Sequence, residues 1–224
     1  MKLKAEKIGR MYFRSSRHTN FFYAIESLDF ELKEGCITAV TGRSGSGKTT
    51  FINMLSGLLI PSDGRVLLDD TDIYALTDKE RSSIRNRHFG IIPQGQTGLQ
   101  SLTVLENVML PATMYGKAKE KKEKAELLLE KLGIDDLREV YSNELSGGAL
   151  RRMSVARALI NEPEIIIADE PTGDLDADTT VLVMELLKSR AEEGASVLIV
   201  THDKDVLPYS DIVYTMEKGT LKKP

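Results

Sequence analysis

Nine consecutive residues constrain this chain more than any other stretch: Gly42-Arg43-Ser44-Gly45-Ser46-Gly47-Lys48-Thr49-Thr50. They fit the pattern GxxxxGK[ST] in full. Glycines let a backbone wrap closely round phosphate oxygens. Consecutive N–H groups at the start of the following helix then point at the anion, with the helix dipole behind them. Gly42, Ser44, Gly45, Ser46 and Gly47 form the cradle on this reading, and Thr50 completes it. Lys48 brings a point charge to the β- and γ-phosphates, and the Thr49 hydroxyl can ligate Mg²⁺. The flanks agree. Cys36 to Thr41 is a short apolar run suited to a buried strand, and Phe51, Leu55, Leu58 and Leu59 fall on one face of a helix. A strand–loop–helix unit of this kind commits the chain to an α/β fold.

The remaining segments extend that unit. Leu28, Phe30 and Leu32 alternate with polar residues as a half-buried strand does, and Glu34-Gly35 turns the chain. Pro61-Ser62-Asp63-Gly64 is a turn signal between the first helix and candidate strands at Arg65 to Leu68 and Phe89 to Ile92. The middle reads as helical, with Thr103 and Glu106 at capping-box spacing. From Lys117 to Lys131 charges mix with Leu127, Leu128 and Leu129, and Leu132 follows. The Lys/Glu run from Lys119 to Lys124 reads as a solvated helix face with i,i+4 pairs rather than as a partner-binding patch. Ile165-Ile166-Ile167 and Val197-Leu198-Ile199-Val200 are buried strands, Val181, Met184 and Leu187 mark a helix between them, and Ile212-Val213-Tyr214 is a short final strand. Apolar runs alternating with helices imply a parallel sheet covered on both faces.

Composition sets outer limits. The chain has 224 residues, 41% hydrophobic and 29% charged, an ordinary globular mix for one domain, with room for a sub-lobe. Thirty Lys+Arg against thirty-four Asp+Glu give a net charge of −4, which offers nucleic acid no electrostatic attraction. Cys36 is the only cysteine, so no intrachain disulfide forms and a reducing compartment is expected. The N-terminus lacks the apolar core of a secretory signal, and no run approaches the roughly 20 apolar residues that span a bilayer. Membrane work would go through a partner.

Two further constellations carry chemistry. Ile165-Ile166-Ile167-Ala168-Asp169-Glu170 delivers two carboxylates at the C-terminal end of a strand, the edge where open α/β sheets bind ligands. Asp169 suits a Mg²⁺ ion, held through water, and Glu170 is placed to polarise a water aimed at the γ-phosphate. Leu145-Ser146-Gly147-Gly148 precedes an apolar and basic helical stretch from Ala149 to Leu159. Its glycines expose N–H groups to an anion and Ser146 adds a hydroxyl donor, although a plain Ser N-cap has the same look. A second anion site in a chain that already has a phosphate cradle needs a reason.

Nearly the whole chain resembles the ATP-binding cassette subunit of ABC transporters, with the motifs in order. Gly42 to Thr49 looks like Walker A and Gln94, after Phe89-Gly90-Ile91-Ile92-Pro93, like the Q-loop glutamine. Leu145 to Gly148 looks like the signature motif, and Asp169 and Glu170 like Walker B and the catalytic glutamate. Gly173-Asp174-Leu175-Asp176 looks like the D-loop, and Thr201-His202-Asp203 carries the switch histidine. The resemblance implies a P-loop NTPase fold of ABC type: a mainly parallel sheet core with an antiparallel β subdomain (residues 1–93 and 161–224), and a helical subdomain (94–160). It also supplies the reason for the second anion site. In that family two cassettes pair head to tail, and each ATP lies between one subunit's Walker A and the other's signature motif, so Ser146, Gly147 and Gly148 would reach the γ-phosphate on the partner's Lys48.

The other roles are carried over residue by residue. Gln94 would contact Mg²⁺ or the attacking water, His202 would hold the γ-phosphate and orient that water, and Asp176 would bridge the two sites. Tyr12 aligns best with the aromatic that stacks on adenine, though Phe13, Phe21, Phe22 and Tyr23 compete. Ala149 and Leu150 depart from the Gln or Glu, then Gln, usual after the signature glycines. The expected consequence is a slower or weaker ATP-driven dimer, since one lost hydrogen bond costs about 1 kcal/mol. Pro93 is also unusual in its place.

Taken together, the resemblance implies an ATPase with ATP and Mg²⁺ that works as a dimer on integral membrane permease subunits, at the cytoplasmic side of the membrane and without nucleic acid. Leu102-Thr103-Val104-Leu105-Glu106-Asn107-Val108 and Pro171-Thr172-Gly173-Asp174-Leu175-Asp176 look like the bacterial subgroup of lipoprotein release, macrolide export and antimicrobial-peptide resistance. The alternative is a regulatory cassette, such as the cell-division ATPase, signalling through a permease-like partner. Only about fifty residues separate Gln94 from Ser146, which leaves no room for the coiled-coil insertion of DNA-repair cassettes.

Overall fold

The computed structural model describes residues 1–13, 21–95, 97–116 and 118–223. Two sheets carry the architecture. The larger has six strands in the order β10-β9-β3-β8-β7-β6: β3 (Ile37–Thr41), β6 (Phe89–Ile92), β7 (Ile165–Asp169), β8 (Ser196–Val200), β9 (Ile212–Glu217) and β10 (Thr220–Lys222). All its pairings are parallel except β9 with β10. The smaller sheet is antiparallel, in the order β2-β1-β4-β5, from β1 (Leu3–Phe13), β2 (Phe21–Leu32), β4 (Asp63–Leu68) and β5 (Thr71–Asp72).

Strand alternation explains why the parallel sheet is apolar throughout. Ile165 and Ile167 of β7, with Leu198 and Val200 of β8, pack into one cluster with the smaller sheet and with Phe51, Met54 and Leu55 of α1 (Lys48–Leu55). Ile166 and Ala168, with Val197 and Ile199, pack into a second cluster. Its helices are α3 (Val104–Thr113), α4 (Ala118–Lys131), α5 (Gly147–Leu159) and α6 (Ala177–Glu192). Successive side chains leave opposite faces and both faces are covered, so the middles of these strands are apolar. The helices α3 to α5 lie between β6 and β7 in sequence, although those strands are neighbours in the sheet.

The sequence pattern and the structure part at several points. α1 stops at Leu55 rather than running on to Leu59, and Leu58 is 55% exposed. Gly57 ends it, at φ 73°, a left-handed conformation that favours glycine. The Gly57 N–H donates to Met54 O and the Leu58 N–H to Asn53 O, a Schellman closure. Leu127 and Val181 face solvent, the buried stripe of α6 running instead through Thr180, Val183, Met184, Leu187 and Ala191. α2 (Asp78–His88) buries no residue and shows no apolar period, but its Thr77/Glu80 capping box is the signal that marks it. Lys117, the first residue of the charged stretch, lies outside the described residues. Lys121 and Lys124 of that stretch pair with Glu162, beyond α5, rather than with glutamates on their own helix.

Candidate active site

The phosphate-binding loop joins β3 to α1 as its pattern requires. Gly47 stands at the N-cap of α1 with φ 107°, and a Cβ there would meet Ala24 O at 2.6 Å, so only glycine fits. The Lys48 ammonium donates to the carbonyls of Gly42 (2.7 Å) and Arg43 (3.1 Å), which draws the loop into a ring. The Ser46 hydroxyl is buried and finds no partner among the described residues. No acidic side chain stands in the first turn of α1, so its free N–H groups face no carboxylate there.

From the next strands come the acids. Asp169 closes β7, and its Oδ2 accepts a 2.9 Å hydrogen bond from Thr49 Oγ1. Burial pushes the Asp169 carboxyl above its ordinary value, while the Thr49 hydroxyl and the charges of Lys48 and Arg151 pull it back. A divalent cation fits this donor set: one carboxylate and one hydroxyl, hard oxygen ligands that leave further positions to phosphate oxygens and water. Glu170 follows at φ 51°, left-handed and strained for a glutamate, with its N–H donating to Val200 O at 2.8 Å. That turn aims its carboxylate at the end of β8. There it accepts bonds from Thr201 Oγ1 (2.9 Å) and the His202 N–H (3.1 Å), and its Oε1 lies 2.7 Å from His202 Nδ1. The hydrogen bond to Glu170, together with that carboxylate's charge, holds the His202 imidazole above its usual pKa. In the imidazolium form Nδ1–H donates to Glu170, and Nε2–H is left to donate to a phosphate oxygen.

These groups share one cleft of about 650 Å³, lined by Gly42 to Gly45 and Gly47 to Thr50 of the loop, together with Gln94, Asp169, Glu170, His202, Tyr12 and Phe22. A larger and more open depression, between Lys4, Lys7, Asp63 and Asp72, mixes opposite charges and gathers no motif residue. At the aromatic wall, Tyr12 and Phe22 face each other across β1 and β2 with ring centroids 5.8 Å apart and planes at 27°. Both line the cleft, whereas Tyr23 lines the charged depression.

The buried Ser46 is absent from the cleft lining, and so are two further sequence-identified groups: Ser146 to Gly148, and Asp176. Ser146 caps α5, its Oγ accepting from the Ala149 N–H at 3.2 Å. Asp176 caps α6, its Oδ1 accepting from the Thr179 N–H at 2.8 Å, and that bond lowers its pKa. The two caps adjoin, since a Cβ on Gly148 would stand 3.5 Å from Leu175 Cδ2. The phosphate-binding loop and the Ser146 helix start are thus two separate places in one polypeptide. Ala149 is 2% exposed and belongs to the subunit's own core, so a polar side chain there would meet that interior first. Pro93 has a simple account: β6 is an edge strand ending at Ile92, where a residue without an N–H costs the sheet nothing. The Thr201 hydroxyl and Arg151 have no assigned role in the sequence reading; an arginine inside an otherwise apolar helix face is the available signal for the second.

Residues 25–173 match the family described as ABC transporter. Over 200 residues the chain is 39% identical to the lipoprotein-releasing system ATP-binding protein LolD of Treponema denticola, covering 88% of each. It is 38% identical to the macrolide export ATP-binding/permease protein MacB of Campylobacter fetus, matching 88% of this chain but 31% of that longer protein. Its fold superposes with a TM-score of 0.92, at 32% identity and over 99% of this chain and 97% of the other, on the ATP-binding cassette MJ0796, solved as a dimer in a post-hydrolysis state bound to ADP and Pi.

Proposed function

The chain belongs to the ABC transporter family, as its ATP-hydrolysing cassette, and we propose that two copies close over two ATP molecules to drive membrane permease subunits in export or lipoprotein release. The supporting observation is that one cleft gathers Lys48, Thr49, Asp169, Glu170 and His202 while the Ser146 end of α5 stands outside it. Each half of a triphosphate site is then present once per chain, and head-to-tail pairing brings unlike halves together. MacB, named as an ATP-binding/permease protein, is similar to this chain over about a third of its length. The described residues include no helix long and apolar enough to cross a membrane. Permease subunits in the membrane, with this cassette on its cytoplasmic side, belong to the same reading.

In the proposed chemistry the loop N–H groups and Lys48 hold the β- and γ-phosphates, and Tyr12 or Phe22 covers the adenine. Thr49 and Asp169 would hold Mg²⁺, which when bound neutralises developing charge on the phosphates. Gln94 and His202 orient a water, and Glu170 takes its proton as the oxygen attacks the γ-phosphorus and the bond to the β-phosphate oxygen breaks. Ser146, Gly147 and Gly148 contribute donors to the γ-phosphate across the interface, and Asp176 lies at the same interface, bridging the two sites. Residues 94–160 form the helical arm that carries these donors. Glu170→Gln should cut turnover by at least about 100-fold while ATP still binds. Hydrolysis at the parental rate refutes Glu170 as base. Isolation of the subunit from membranes, with identification of whatever co-purifies, tests the permease: a protein with transmembrane helices is expected, and none contradicts it.

A further inference from the structure

Arg151 lies on α5, one turn beyond the Ser146 cap, and is 6% exposed. Its guanidinium donates from one end to the carbonyl of Pro93 at 2.8 Å, the residue immediately before Gln94. The other amino group lies 3.7 Å from where a Cβ on Gly173 would stand, beside the turn from Glu170 to Leu175. Burial lowers its pKa, and the charges of Asp174, Asp169 and Glu170 oppose that shift. Two turns further along α5, Arg157 holds the far side of the same segment, donating to Thr97 O at 2.7 Å and Thr97 Oγ1 at 2.6 Å. The stretch that bears Gln94 is therefore tied at both ends to the helix whose Ser146 end lies outside the cleft lining. A buried guanidinium cannot shed its charge, and its fixed fork transmits position better than a flexible ammonium would.

We propose that Arg151 is a positioning residue that couples the Ser146 end of α5 to Gln94 and the Gly173 turn, so that phosphate bound at one place sets the water-orienting geometry at the other. This rests on the ATPase reading above and adds the internal link between its two half-sites. Arg151 touches no reacting atom; it acts through the Pro93 carbonyl.

The test is steady-state ATP hydrolysis by the full chain and by R151M, with hydrogen exchange read along the backbone. The expected result is a kcat at least tenfold lower, an ATP KM within threefold of the parent, and faster exchange confined to residues 94–97 and 173–175. Parental kcat in R151M overturns the proposal. So does a KM that rises in step with the lost turnover, or exchange that speeds up across α5 and the parallel sheet alike, since those mark a merely structural role. If R151M does not fold, R151K replaces it: the charge stays, the fork is lost, and kcat should fall at least threefold with KM unchanged, whereas parental turnover overturns the proposal. A parental chain that hydrolyses no ATP would instead strike at the ATPase reading itself.

Discussion

Lys48 and His202 are the two residues whose behaviour separates binding from chemistry. The Lys48 ammonium rests on two backbone carbonyls at the mouth of the cleft, so it can exchange neutral acceptors for phosphate oxygens with little movement. Charge-assisted hydrogen bonds contribute about 1.5–3 kcal/mol. Lys48→Ala should therefore weaken ATP binding roughly 10- to 100-fold by fluorescent-nucleotide titration, and unchanged affinity would count against the phosphate-binding loop. His202 is paired with Glu170, and its pKa is raised above the ordinary 6.5. The pair's contribution to stability is then complete below pH 6.5 and lost as pH rises through the raised value. The imidazole NMR titration should have its midpoint above 6.5 in the parent and move back towards 6.5 in E170Q. Identical midpoints would mean that the Glu170 charge does not act on His202. Site identities at this scale were legible because each motif is a run of adjacent residues. Arg151 was not, because its partners Pro93 and Gly173 lie far away in sequence and only the fold brings them to it.

At the scale of elements, legibility followed periodicity. Strands β7 and β8 read as unbroken apolar runs because both faces are buried. β1 escaped notice because its pairing shifts between Ala5 and Ile8, Ile8 and Arg10, and Arg10 and Met11, with Lys7 at φ 48°, which destroys the alternation a strand is recognised by. α3 announced itself through its cap: the Thr103 side chain accepts from the Glu106 N–H, and the Glu106 carboxylate from the Thr103 N–H. Thr103→Ala should cost about 0.5–2 kcal/mol in urea unfolding, and no loss would mean the cap is dispensable. Lys121 and Lys124 fasten α4 to Glu162 and hold its carboxyl down to about 2, from 4.5. That contribution is present above pH 4.5 and fades as pH falls towards 2. Because Glu162 is 45% exposed, the gain is no more than about 1 kcal/mol. Parent and E162Q should thus differ in stability at pH 7 and converge as the carboxylate protonates; a gap that stays constant with pH would assign the effect to something other than charge.

At the scale of the whole molecule the arrangement is incomplete alone. The α5 end with Ser146 and the D-loop residues adjoin each other away from the subunit's own phosphate loop, so a second cassette has to supply what each cleft lacks. The most direct test is the mass of the E170Q chain in solution, measured by light scattering with and without saturating Mg·ATP. The account predicts the 24.9 kDa monomer without nucleotide and twice that mass with it, and predicts that replacing Ser146 by a bulky residue abolishes the shift while each chain still binds ATP. An E170Q protein that binds ATP fully yet stays at the monomer mass would contradict it.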